Sequence, residues 1–305
     1  MKSISADRCV YCFDPGARAV EQVAPGEVVT FETEDALGGQ VQTVADAPES
    51  IDFSRVNPAT GPLAVEGAAS GDALCVEVLR IEAAAHGVAL TGPGMGLLGS
   101  EAARHSVRVL PIWSGVVWFD DLGLAAAPMI GVIGVAPAGT PKATGTAGRH
   151  GGNLDTKELG VGTMLYLPVS QQGALLALGD VHAVMADGEI CITGCEVAAS
   201  VTVRVGVLKG CAPAWPLLET RDAVYILVSR PRIGDALREA ASQGVRFIRQ
   251  ARGLSFEDAY ILSSLAMDVR VSQLVDPSKT AKAVIPKRLL PYSVSDCLLR
   301  QHTSG

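Results

Sequence analysis

At 305 residues the chain has room for about two domains or one large β-rich unit, and with hydrophobic residues at 48% it can bury a sizeable core. A formal net charge of −7 with no basic run argues against nucleic acid or an anionic membrane surface as a partner. The opening residues carry no secretory-type apolar segment, and the apolar run at 122–138 is broken by Pro128 and glycines, which reads as buried strands rather than a membrane span. Seven cysteines, of which only Cys9 and Cys12 have Cys-x-x-Cys spacing, fit reduced thiols and a cytoplasmic location. That pair has no second pair or neighbouring histidine with which to complete a zinc site.

In chain order, Val28 to Thr33 alternates apolar and polar residues, and Leu74 to Ile81 does so less regularly. Pro25-Gly26, Gly38-Gly39, Asn57-Pro58, Gly61-Pro62, Gly71-Asp72 and Gly92-Pro93 punctuate these runs as turns. Short strands at such spacing predict a sandwich or barrel rather than βαβ units. Gly173 to Leu178 is apolar enough for a buried strand, and Val201 to Val207 places four valines on one face. The last third changes character. Ile233 to Gln243 reads as an amphipathic helix ended by Gly244, and Ser255 with Asp258 reads as the cap of a second helix running to about Met267. The expected class is α+β and mainly β: a β-rich part over 1–215 and a smaller helix-containing part over 216–305, or one interwoven domain.

The segment from Gly148 to Glu196 concentrates His150, Asn153, Asp155, Asp180, His182, Asp187, Glu189 and Glu196 in Gly-rich, otherwise apolar sequence. Burying unpaired charge costs several kcal/mol or more, so a core strand has little use for these groups unless they do chemistry. Asp180 and His182, two residues apart, share a strand face. Asp187-Gly188 predicts a turn that returns the chain as a strand, Glu189 to Thr193, carrying Glu189 toward that face. Gly151 and Gly152 let the preceding loop bring in His150 and Asp155. Carboxylates with one or two imidazoles suit a divalent cation, which polarises a carbonyl and activates water. Two other readings stand beside this one. Cys191 or Cys195 would serve as a thiol nucleophile, or the acidic groups would hold a structural Ca²⁺ in a non-catalytic β-sandwich binding module.

These residues carry a resemblance to the acetamidase/formamidase family. His150 to Asp155 (HGGNLD), Gly179 to Ala183 (GDVHA), and Asp187-Gly188-Glu189 leading to Glu196 are similar to its motifs. So, in order, are Phe31 to Asp35 (FETED) with Gly39-Gln40, Asn57 to Pro62 (NPATGP), Val65 to Gly67 followed by Gly71-Asp72, Pro93 to Gly96 (PGMG), and Asp268 to Gln273 (DVRVSQ) through Val275-Asp276. The resemblance implies a mostly β fold, hydrolysis of short aliphatic amides to a carboxylate and ammonia, a divalent cation (Zn²⁺ first, Ca²⁺ or Mg²⁺ next) and a homo-oligomer, most simply a dimer. Carried onto this chain, it implies Asp35, Asp180 and His182 on the cation and Glu189, His150 and Asp155 as the acid–base groups. Asn153, Met185, Asp187, Glu196 and Arg149 fall to the substrate pocket or its supports. Three departures stand out. Met185 and Ala186 replace a Gln-Gly pair common in the family, Arg149 replaces a proline before His150, and Ile192 replaces a glycine. Flexible, apolar Met185 would let the pocket take a larger or less polar acyl group.

Overall fold

The computed structural model describes residues 2–46 and 48–303. Two large sheets share one core. The first has nine strands in the order Lys2–Ile4, Val28–Thr33, Ala199–Leu208, Ala73–Ala83, Met164–Pro168, Leu217–Glu219, Ala223–Arg230, Lys279–Pro286 and Asp268–Gln273. The second runs from the hairpin Val116–Phe119/Leu122–Ala125 through Ser106–Trp113, His86–Thr91, Glu196–Val197, Leu176–His182 and Met129–Gly134 to Gly151–Asn153, with Ala59–Val65 also paired to Leu176–His182. Val29, Phe31, Val76, Val201 and Val203 of the first sheet pack against Leu63, Ile130, Ile133, Leu178 and Val181 of the second, all fully buried.

The alternation in Val28–Thr33 is borne out, with every second side chain buried. In Ala199–Leu208, Val201, Val203 and Val205 point into the core. The first sheet continues across residue 215: Met164–Pro168 pairs with Leu217–Glu219, which pairs with Ala223–Arg230. There the sheet is covered on its other face by helix Ile233–Arg252, whose Ala236, Ala240, Phe247 and Ile248 pack against Val224, Ile226, Ala281 and Ala283.

That helix does not stop at Gly244. It runs on to Arg252 and is closed by Gly253 in the left-handed conformation, φ 66°. Gly244 serves packing instead, since a Cβ there would lie 2.3 Å from Met267 Sδ and 3.1 Å from Ala283 Cβ. The second helix, Phe256–Ala266, is capped as expected: Ser255 Oγ accepts from Asp258 N at 3.0 Å and donates to Asp258 Oδ2 at 2.8 Å. Among the described residues, no helix is long and apolar enough to cross a membrane.

Candidate active site

Strand Leu176–His182 lies inside the second sheet and is buried along its whole length, so its two polar residues are drawn into the protein. Asp180 and His182 do share a face: His182 Nε2 lies 3.1 Å from Asp180 Oδ1. Met129–Gly134 pairs on one side of this strand and Glu196–Val197 on the other, with His182 opposite Glu196. Glu196 Oε2 is consequently also 3.1 Å from Nε2, while its Oε1 accepts from Gly194 N at 2.8 Å. Two further carboxylates close around the same nitrogen, Glu189 Oε1 at 3.8 Å and Asp155 Oδ1 at 3.9 Å. Asp276 completes the set, its Oδ2 accepting from Asn153 Nδ2 at 2.8 Å.

Glu189 arrives by a different route from the one expected. Residues 189–193 form no return strand; the pairing partner of Leu176–His182 is Glu196–Val197. The Asp187-Gly188 turn is captured by the first sheet, where Gly188 N donates to Ser272 O at 2.7 Å and Leu274 N to Gly188 O at 3.0 Å. Asp187 faces away from the cluster and pairs with Lys282 (2.6 Å) and Lys157 (3.1 Å). Glu189 then reaches inward on left-handed backbone, φ 47°. Asp155 (φ 40°) and Asp180 (φ 53°) do the same. Each such residue costs of order 1–3 kcal/mol and persists only where its surroundings hold it, a pattern concentrated at functional sites.

Two glycines make the space. A Cβ on Gly131 would sit 2.5 Å from Asp155 Oδ1 and 2.7 Å from the backbone oxygen of Asp180. On Gly194 it would sit 2.7 Å from His182 Nδ1.

One imidazole thus serves Asp155, Asp180, Glu189, Glu196 and Asp276, a strong excess of negative charge in a desolvated place. Burial raises the affinity of these carboxyls for protons: Glu196 is pushed up to about 8 and Asp276 to about 7, each with added repulsion from Asp180. Asp155 and Glu189 are held well above the usual carboxylate range, again chiefly by burial. For His182, burial favours the neutral ring, but Glu196 and Asp180 outweigh it and hold the ring strongly toward imidazolium.

Asp155 Oδ1 and Oδ2 and His182 Nδ1 are buried without a hydrogen-bond partner, although buried polar groups are normally paired. Ligand atoms of Asp155, Asp180 and His182 lie within 4.8 Å of one another, as do those of His182, Glu189 and Glu196. Orphaned carboxylate oxygens around one imidazole fit a divalent cation.

The cluster forms the floor of a cavity of about 460 Å³, into which Asp180, His182, Glu189, Glu196, Asp276 and Asn153 face. Asp155 lies behind them with no exposure. The remaining site candidates lie elsewhere. Asp35 is buried, but its Oδ1 accepts from Leu37 N (2.8 Å) and Gly39 N (3.2 Å) and its Oδ2 from Gln42 Nε2 (3.3 Å), and it belongs to neither group of clustered ligand atoms. His150 lines a second cavity with Lys142 and Arg149 and packs edge-on against Phe13, ring centroids 5.2 Å apart. Arg149 lies over the Trp215 ring, 5.2 Å from its centroid. Met185 is half-buried and does not line the main cavity. Buried Cys195 is pushed up to about 12 by desolvation and by Glu196, which disfavours a thiolate there.

Comparison with known proteins gives this cluster its context. A model described as the Acetamidase/Formamidase family matches residues 5–144 and 138–225. The chain belongs to this family. An acetamidase from Bacillus halodurans is 42% identical, with 94% of this chain and 97% of that one covered and a TM-score of 0.92. A predicted acetamidase/formamidase from Thermoanaerobacter tengcongensis is 39% identical, covering 94% and 96%, also with a TM-score of 0.92. The formamidase of Methylophilus methylotrophus is 24% identical over 92% of this chain and 89% of its own. The chain spans 63% of the length of a Schizosaccharomyces pombe relative and 65% of that of an acetamidase from Mycolicibacterium smegmatis.

The expected class, mainly β with a helical C-terminal part, holds. Asp276 was quoted only as part of a late motif and given no role. It lies beyond the segment that the family model matches, yet it lines the main cavity of this chain.

Proposed function

We propose that the chain is an amidase that hydrolyses the C–N bond of a small amide, giving a carboxylate and ammonia. One observation carries the reading: carboxyls from four separate stretches of chain converge with a single imidazole on the floor of an open cavity. Family membership and the names acetamidase and formamidase borne by its relatives support the same reaction.

Asp180, His182 and Glu196, with Asp155, are the residues that would hold a divalent cation; one imidazole among carboxylates suits Zn²⁺ first and Ca²⁺ or Mg²⁺ next. Bound there, such an ion supplies Lewis acidity to the amide oxygen and to water. Glu189, facing the cavity, takes the proton of the attacking water. An amide nitrogen leaves poorly unless protonated, and Glu189 returns that proton, with Asp155 behind it and Asp276 beside it as further buried proton carriers. His150, in the other cavity, is left out of this scheme. Asn153 orients Asp276. Asp187, through Lys282, fixes the turn that presents Glu189.

A homodimer and a cytoplasmic location complete the proposal. Support for the dimer comes from the edge strand Leu122–Ala125, which is exposed along its whole length, Leu122 to 59%. Sedimentation at micromolar concentration reads the mass directly.

The activity test is ammonia release from formamide, acetamide and propionamide, with and without chelator. Release that stops on chelation and returns with one added metal is expected. No release from any amide by metal-replete protein would refute the amidase reading in favour of a binding module, and loss of turnover in Cys191→Ala would favour the thiol route.

A further inference from the structure

The cavity is much larger than an amide of one or two carbons requires. Water occupies about 30 Å³ per molecule in the liquid, and cavities of about 300–1,000 Å³ commonly hold far larger ligands. At about 460 Å³, this one would leave formamide or acetamide mostly surrounded by solvent. Its ionisable acid and imidazole groups are gathered at the floor. Beyond them Leu37, Ile51, Phe53, Val56, Leu90 and Met95 supply an apolar wall, with neutral polar residues such as Tyr11, Asn57, Thr144 and Thr193 also on the lining.

That wall is not main-core surface that happens to be uncovered. Leu37, Ile51 and Leu90, with Val41 and Val88, form a hydrophobic cluster of their own, and Val56 and Met95 pack against it. The polar groups nearby serve to hold it. Asp35 Oδ1 ties down the turn that presents Leu37, accepting from Leu37 N and Gly39 N. Asn57, on left-handed backbone (φ 53°), donates from its N–H to Ala36 O at 2.7 Å beside Val56. A carboxylate that the motif pattern places in the chemistry is here spent on shaping an apolar lobe.

We infer that the chain takes a primary amide with a bulky hydrophobic acyl group, a branched aliphatic or aryl-acetyl side, seated in this lobe. The inference rests on the amidase reading. Orientation follows from donor and acceptor chemistry. The –NH₂ end donates hydrogen bonds and belongs at the floor, whose carboxylates accept them; the acyl end has nothing to donate and belongs against Leu37, Leu90 and Met95. Floor residues are too closely packed and too buried to receive a substituent on nitrogen. Asp35, Leu37, Val56 and Met95 are therefore positioning and specificity residues rather than catalytic ones.

The test is kcat/KM by ammonia release across formamide, acetamide, isobutyramide, hexanamide and phenylacetamide. Each methylene buried in the lobe contributes ~0.8 kcal/mol, about a fourfold gain, so the series is expected to climb until the lobe is full. Met95→Trp, which fills the lobe, is expected to lower the phenylacetamide-to-acetamide ratio at least tenfold, on the order of one or two methylenes lost. Phe53→Ala, at a position 60% exposed, is expected to lower the same ratio. A flat or falling series with acetamide still hydrolysed would overturn the inference and leave the amidase reading standing. Turnover of no amide would end both. Faster aniline release from N-phenylacetamide than ammonia release from phenylacetamide would reverse the orientation and overturn the inference.

Discussion

Replacing Lys282 with methionine tests whether the turn that carries Glu189 is held electrostatically. Lys282 is fully buried, and its Nζ sits 2.6 Å from Asp187 Oδ1 and 2.7 Å from Glu158 Oε2. Removing one member of a buried ion pair typically costs 3–5 kcal/mol, because the partner is left uncompensated. Here the cost is smaller: the side chains of Asp187 and Glu158 are 29% and 15% exposed, and Lys157 remains 3.1 Å from Asp187. About 2–3 kcal/mol is the expected loss. At ~2–4 °C per kcal/mol for a chain near this size, Tm falls by roughly 4–12 °C. Methionine fills nearly the same volume, so the effect is one of charge. Thermal unfolding by circular dichroism reads it, with Glu158→Gln/Asp187→Asn/Lys282→Met as the neutralised control expected to recover most of the loss. The same turn carries Glu189, so kcat for acetamide falls with the single change and returns with the triple. An unchanged Tm and unchanged kcat in Lys282→Met would refute the reasoning.

Gly131→Ala pushes a methyl onto Asp155 and the Asp180 backbone, and is expected to cost about 1–3 kcal/mol by overpacking and to lower kcat at least tenfold, measured by Tm and ammonia release. His150, pulled down to about 4 chiefly by burial and then by Lys142, stays neutral in the folded chain while the unfolded chain takes up a proton below about 6.5. Its contribution is thus fully present above pH 6.5 and lost as pH falls toward 4; urea titrations should show wild type losing about 3 kcal/mol more than His150→Gln across that window. Cys195→Ala is expected to keep kcat within about twofold, since a buried thiol acts as a small hydrophobe.

Strand Val28–Thr33 and the Ser255 cap were legible because local pattern and tertiary outcome agree there. Asp180 and His182 were legible for the same reason, as period-two neighbours on one buried strand. Glu189 was legible as a member of the cluster but not in its route, because the turn before it is captured by Ser272 and Leu274, far away in sequence. Periodicity gives no hint of such pairings. Asp276 was not legible as a site residue, since its approach depends on the turn between Asp268–Gln273 and Lys279–Pro286, where Gln273 Oε1 accepts from Val275 N and Asp276 N. Asp35 and His150 show the converse. A carboxylate or imidazole within a motif can be spent on shaping a wall or filling a second cavity, and only the partners of its polar atoms reveal which.

The most direct test of the central claim, that the carboxyls around His182 perform proton transfer on an amide, is kcat for acetamide in Glu189→Gln, with metal content measured on the same sample. Loss of a general base or acid costs about 10²–10⁴-fold, and a fall in that range with metal content unchanged is expected. Full turnover by Glu189→Gln would contradict it.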